Sequence, residues 1–150
     1  EDIQVLSVIE ETNSIIGPSL INSSIVLNIS CSSDIKASIY KRELVQVILN
    51  LINNSKDAIS NNNIENGHID IEVSKEDNWI LLKVSDNGGG ISNESIGKIF
   101  EPYFTTKGVS SGTGLGLYIS KTIIETHFNG AIKAYNIDGG ACFEIKIPKA

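Results

Sequence analysis

Two glycine-rich turns and the segment between them carry the groups in this chain that suit a polyphosphate. Asp86-Asn-Gly-Gly-Gly-Ile91 and Gly112-Thr-Gly-Leu-Gly-Leu117 are the turns, and Phe100-Glu-Pro-Tyr-Phe-Thr-Thr-Lys107 lies between them. The second turn runs into an apolar stretch from Leu115 to about Phe128 that reads as a helix. Glycines ahead of a helix let backbone N–H groups approach an anion, and the helix dipole favours negative charge there. Two common phosphate loops are excluded. A Walker A loop needs a lysine after its last glycine, and a dinucleotide fingerprint needs Gly-x-Gly-x-x-Gly, whereas these glycines fall at 112, 114 and 116. Upstream, Asn50 and Asn54 stand four residues apart on a predicted helix, so they share one face. As isolated residues they could simply be solvated or cap something locally.

Taken together, these stretches resemble a known family. Asp86–Ile91 resembles the G1 box of histidine-kinase ATP-binding domains, Phe100–Lys107 their F box and Gly112–Leu117 their G2 box. The run Glu43-Leu-Val-Gln-Val-Ile-Leu-Asn50-Leu-Ile-Asn-Asn54-Ser-Lys-Asp-Ala58 is similar to their N box. These boxes belong to the Bergerat-fold superfamily, which also includes DNA gyrase. The likeness covers nearly the whole chain. Ser55, where alanine is common, and the polar Asn53 depart from the pattern.

The resemblance implies a set of roles. Asn54 offers its side-chain oxygen to Mg²⁺, an ion that takes few protein oxygens and binds its nucleotide's phosphates. Asp86 accepts from the exocyclic amine of adenine. Guanine would set two acceptors against each other, at a cost of roughly 1–3 kcal/mol. Asn50 stands where hydrolytic relatives carry a water-activating glutamate. An amide is no general base, so ATP should be held without rapid hydrolysis. The catalytic set is then Asn50, Asn54 and Lys107, with Asn54 the metal ligand. Lys107 either reaches the γ-phosphate or is plainly exposed. Asp57, Ala58, Gly88, Gly90, Ile91, Phe104, Thr105, Thr106, Gly112, Thr113, Gly114, Leu115, Gly116 and Leu117 complete the ATP-binding set. For Lys56 and Asp57 a solvated face competes with nucleotide contact, and for the glycines of 112–116 tight helix packing competes with phosphate binding. Phe100 and Phe104 read as lid and core packing, and 108–111 as a short flexible lid. Gly139-Gly140-Ala141 resembles a small G3 box, which a plain hairpin turn explains equally well.

The implied reaction is transfer of the γ-phosphate of Mg·ATP to a histidine on a separate dimerisation domain of the same parent protein. The phosphate would then pass to the receiver domain of a response regulator. The implied cofactors are ATP and Mg²⁺. A degenerate nucleotide-binding regulatory module and a superfamily relative that phosphorylates protein serine are the competing classes. His68 and His127 lie outside the family's phospho-acceptor pattern and read as structural or surface residues.

Composition agrees with one cytoplasmic domain, from a parent protein that is membrane-anchored or not. The chain has 150 residues, 41% of them hydrophobic, enough for a single core that buries ~70% of the unfolded surface. A net charge of −6 argues against a nucleic-acid partner or direct contact with an anionic membrane. No apolar run reaches the length of about 18 residues that a spanning helix needs. Cys31 and Cys142 lack metal-type spacing and read as two reduced thiols, with a disulfide as the lesser alternative. The first residue is Glu1, so a fragment of a longer protein is expected.

The elements that must position these residues follow from periodicity. A helix is predicted over Asp2–Ile16 and stopped by Gly17-Pro18, then a strand over Ile25–Ser30 and a short extended piece over Ala37–Tyr40. A long amphipathic helix runs from about Lys41 to Ser60. Strands His68–Ser74 and Trp79–Ser85 flank a turn at Lys75–Asn78. A short helix over Asn93–Phe100, capped by Ser92 or Asn93, precedes the helix Gly114–Phe128, which Asn129-Gly130 closes. Strands Ala131–Asn136 and Ala141–Ile147 end the chain. The fold class is α+β, a two-layer α/β sandwich: a mixed, mostly antiparallel sheet covered on one face by helices, as in the Bergerat ATP-binding fold.

Overall fold

The computed structural model describes residues 2–104 and 115–150. A short strand β1 (Asp2–Gln4) leads into helix α1 (Val5–Asn22). Strands β2 (Val26–Ser30) and β3 (Lys36–Ser38) precede helix α2 (Lys41–Asn61). The hairpin β4 (His68–Glu76) and β5 (Trp79–Asp86) follows. Helix α3 (Gly116–Thr122) widens into a π-helical turn, Ile123–His127, and the chain ends in β6 (Ala131–Ile137) and β7 (Gly140–Pro148).

Among the described residues five strands form one sheet in the order β2-β4-β5-β7-β6. Only β2 and β4 run parallel; the other neighbours are antiparallel. Alternation along the strands sends Ile69, Ile71, Ile80, Leu82, Val84, Phe143, Ile145 and Ile147 inward, all essentially unexposed. Against them α2 buries Leu44, Val47, Ile48, Leu51 and Ile52, and α1 buries Val5, Val8, Ile9, Thr12, Ile16 and Leu20. Thr12 is tolerated there because its hydroxyl donates to the Val8 carbonyl at 2.8 Å. The opposite face is polar, with Glu144 between Lys83 and Lys133 at 3.9 and 3.3 Å. On that face the Tyr135 phenol, which donates to Glu144 at 3.2 Å, is pushed above its ordinary range by the neighbouring Cys142 thiol, by burial and by the Glu144 charge. Both cysteines are free thiols, and burial pushes each of them up.

Three expectations are corrected. Asp2–Gln4 is not helical; it pairs with β3 as a two-stranded sheet. Gly17-Pro18 does not stop α1. Ile16 and Leu20 lie on the buried stripe on either side of the proline. Burying two such side chains yields about 3–6 kcal/mol, enough to offset the ~3 kcal/mol of a proline inside a helix. Asn93–Phe100 is a chain of turns, not a helix. Ser92 does cap the Ser95 N–H and Ile96 bonds back four residues to Ser92, but Ser95, Lys98 and Glu101 bond back only three. Gly97 weakens any helix there.

The remaining differences are small. The first hairpin turn is confined to Asp77-Asn78, with Asp77 left-handed at φ 55°. The closing Asn129 is left-handed at φ 54°, and Gly130 follows because a Cβ there would stand 2.0 Å from the Lys146 carbonyl oxygen.

Candidate nucleotide-binding site

Helix α2 supplies one wall. Its apolar face is spent on the sheet, so the stripe through Asn50 and Asn54 turns toward α3. The Asn50 amide nitrogen donates to the Gly116 carbonyl and to the Ser120 hydroxyl, both at 3.2 Å. Ser120 is fully buried and itself donates to the Gly116 carbonyl at 2.9 Å. Asn50 therefore ties α2 to the first turn of α3. Its oxygen is the end of the amide turned away from those acceptors. The side-chain amide of Asn54, half-buried, has no hydrogen-bond partner among the described residues. Lys56 donates instead to Ser19 of α1.

Strand β5 supplies the second wall. It ends at Asp86, which is 4% exposed. One carboxylate oxygen accepts the Gly88 N–H at 2.8 Å and so folds the loop back on the strand. Gly88 packs on α2: a Cβ there would fall 2.9 Å from the Ala58 Cβ and 3.1 Å from the Ile59 nitrogen. Gly89 and Gly90 carry the loop at φ 102° and 86°, backbone that side chains resist. Ile91, Phe104 and Leu117 pack partly buried against the core.

Groups outside the glycine boxes brace this loop. The Asn62 amide at the end of α2 donates to the Gly88 carbonyl at 2.6 Å. The Gly89 N–H donates to the Gly139 carbonyl at 3.0 Å. Asn136 bonds both main-chain groups of Ile91 at 2.7 Å. Asn87 accepts the His68 N–H and donates to the Asn66 carbonyl. Sequence reasoning missed Asn62, Asn136 and the packing role of Gly140. Asparagine is a common loop residue, and only the register of β6 on β7 reveals which asparagine reaches Ile91.

The structure thus brings Asn50 to Gly116, Ala58 to Gly88 and Asp86 to Gly88, and it sets Gly90 and Ile91 against β6. Asp57 and Leu115 both make interactions within the fold. Thr105, Thr106, Lys107, Gly112, Thr113 and Gly114 lie outside the described residues. Among the described residues no three His, Cys, Asp or Glu side chains converge on one point, so an all-protein metal cage is not built there. The side-chain amide of Asn54, without a partner among the described residues, fits a Mg²⁺ that keeps its waters and rides on phosphates.

A family model described as histidine kinase-, DNA gyrase B-, and HSP90-like ATPase matches residues 40–150. The two-component sensor PprA of Pseudomonas aeruginosa is 40% identical over 111 residues, 72% of this chain and 12% of that protein. Sensor histidine kinase ZraS of Salmonella typhimurium is 43% identical over 107 residues, 70% of this chain and 22% of that protein. The chain therefore spans between about an eighth and a fifth of the length of these relatives. The nucleotide-free catalytic domain of histidine kinase ThkA superposes with a TM-score of 0.85 at 29% identity, covering 99% of this chain and 96% of that one. ThkA has also been solved in complex with response regulator protein TrrA, where 100% of this chain matches 42% of the other with a TM-score of 0.78 at 26% identity.

Proposed function

The chain belongs to the histidine kinase-, DNA gyrase B-, and HSP90-like ATPase family, and from that premise we propose that it is the ATP-binding catalytic domain of a sensor histidine kinase. Residues 1–150 act as one domain that holds Mg·ATP and presents its γ-phosphate to a histidine on a separate dimerisation domain. The phosphate then moves to the receiver domain of a response regulator, the kind of protein found bound to ThkA. The domain works in the cytoplasm. Among its described residues no helix is long and apolar enough to cross a membrane.

The observation that carries the proposal is the Asp86 carboxylate, 4% exposed at the end of β5, with one oxygen fixed by the Gly88 N–H. The other oxygen makes no hydrogen bond among the described residues and accepts the adenine amine. Gly88 lets the loop lie against α2 beside the carboxylate, and Gly90 lets it close on Asn136. Ala58 and Ile91 flank the base, and Phe104 and Leu117 close the apolar side. Gly112, Thr113, Gly114, Leu115 and Gly116 bind the phosphates, and Thr105, Thr106, Lys107 and Asp57 complete the ATP-binding set. Asn54, with Asn50 behind it, holds Mg²⁺, which neutralises phosphate charge when bound.

Asn50 favours transfer over hydrolysis. Its amide nitrogen donates to two acceptors, which a carboxylate at that place could not do. An amide at position 50 draws no proton from water, so the phosphoryl group waits for a nucleophile brought by the partner domain.

The test is phosphate transfer from γ-labelled ATP to a dimerisation domain carrying the acceptor histidine, taken from a relative such as ZraS. An acid-labile phosphoprotein is expected. An acid-stable one would mark a serine kinase. ATP binding with no transfer would mark a regulatory nucleotide module.

A further inference from the structure

We propose that Asn136 is a positioning residue for adenine recognition: its side-chain amide sets where Ile91 stands beside the base. The inference rests on the nucleotide-site reading above.

Left to itself, the loop would not hold one shape. Gly89 and Gly90 are consecutive left-handed residues with no side chains to anchor them, and glycine has more backbone freedom than any other residue. Ile91 follows directly, so its place depends on whatever grips it from outside. Asn136 does so from β6, the edge strand of the sheet, whose main chain pairs with β7 (Asn136 opposite Ala141). Its side chain copies a strand partner. Oδ1 accepts the Ile91 N–H at 2.7 Å, and Nδ2 donates to the Ile91 carbonyl at 2.7 Å. Both lie at the short end of the N–H···O range, and together they fix both main-chain groups of one residue.

The neighbours are fitted to this clasp. A Cβ on Gly90 would stand 3.0 Å from Asn136 Oδ1, so the loop approaches closely only as glycine. From the other side Asn62 holds the Gly88 carbonyl at 2.6 Å. Asn136 is itself exposed, so its removal opens no cavity in the core. That exposure separates a role in placing the loop from a role in folding.

The test compares the wild-type chain with Asn136→Ala and Asn136→Asp by calorimetric titration with Mg·ATP and by amide hydrogen exchange. Asn136→Ala should weaken ATP about tenfold, the scale of losing two neutral hydrogen bonds. Exchange at the Ile91 amide should accelerate, while amides along β5 and β7 keep their protection. Asn136→Asp retains the acceptor for the Ile91 N–H but sets a carboxylate oxygen against the Ile91 carbonyl, so it should also weaken ATP and quicken exchange at Ile91. Unchanged ATP affinity in Asn136→Ala would overturn the inference. So would loss of protection throughout β5 and β7, or failure of the variant to fold, because either marks a general structural role. If the wild type binds no ATP, the nucleotide-site reading fails by itself, and exchange at Ile91 still reports on the clasp.

Discussion

A Cβ on Gly140 would stand 1.7 Å from the carbonyl oxygen of Asp86. The first residue of β7 therefore lies flat on the last residue of β5, and the acidic group of the site is seated on the closing hairpin of the sheet. Gly140→Ala should push β7 off Asp86 at a cost at or above the ~1–3 kcal/mol typical of overpacking. Its neighbour provides the contrast. Gly139 has φ 78° but nothing within 4 Å of a Cβ, so Gly139→Ala should cost only the ~1–2 kcal/mol of a left-handed residue. Urea unfolding of both variants, with ATP titration, checks the order. Gly140→Ala should lose both stability and binding.

Asn50 makes its structural contribution as a donor. Asn50→Asp would set carboxylate oxygens against the Gly116 carbonyl in place of a bond at 3.2 Å. A loss of roughly 1–3 kcal/mol is expected, the scale of the two donor bonds given up, with the Gly116 carbonyl keeping its bond from the Ser120 hydroxyl. Thermal melting measures it, and Asn50→Gln, which keeps the donor on a longer arm, should be milder.

The Ser55 hydroxyl is buried without a hydrogen-bond partner, the one such side-chain atom found among the described residues. A buried hydroxyl in that state costs on the order of 1–3 kcal/mol. Ser55→Ala should therefore stabilise the chain, raising its melting midpoint by about 2–4 °C for each kcal/mol recovered. An unchanged or lower midpoint would show that the hydroxyl is bonded in solution.

Burial raises the Cys142 thiol above its ordinary value of 9.0, and the nearby Glu144 and Asp86 charges add to this against the opposing effects of Tyr135 and Lys83. A thiol raised in the folded state keeps its proton where the unfolded chain has lost it. Stability should therefore fall as pH climbs above about 9, and be unaffected by this group below it. Cys142→Ala should flatten that alkaline slope in unfolding titrations. Labelling at pH 8 should find Cys31, half-buried, ahead of Cys142.

The elements that were legible were those with a long apolar period. Helix α2 and the strands β4, β5 and β7 each present an apolar face to the core, so their pattern is written in the chain. Helix α1 misled because Gly17-Pro18 is a local stop signal, whereas the decisive contact, Leu20 at 1% exposure, is tertiary. The turns over 93–101 misled in the opposite sense: cap and first-turn residues are present, and Ile96, Ile99 and Phe100 have helical spacing, but Gly97 sits among them and weakens the helix they would form. At the site, Asp86 and its glycines stood out because few other residues tolerate such backbone. Asn62 and Asn136 did not, since their contacts join positions 26 and 45 residues apart.

The most direct measurement is calorimetric titration of this chain with ATP and with GTP, in Mg²⁺, for the wild type and Asp86→Asn. If Asp86 receives the adenine amine, ATP binds, GTP binds at least tenfold more weakly, and Asp86→Asn loses ATP by a similar factor while staying folded, the scale of one unpaired buried acceptor. Equal binding of ATP and GTP, or full ATP affinity in Asp86→Asn, would contradict the assignment of this loop to the base.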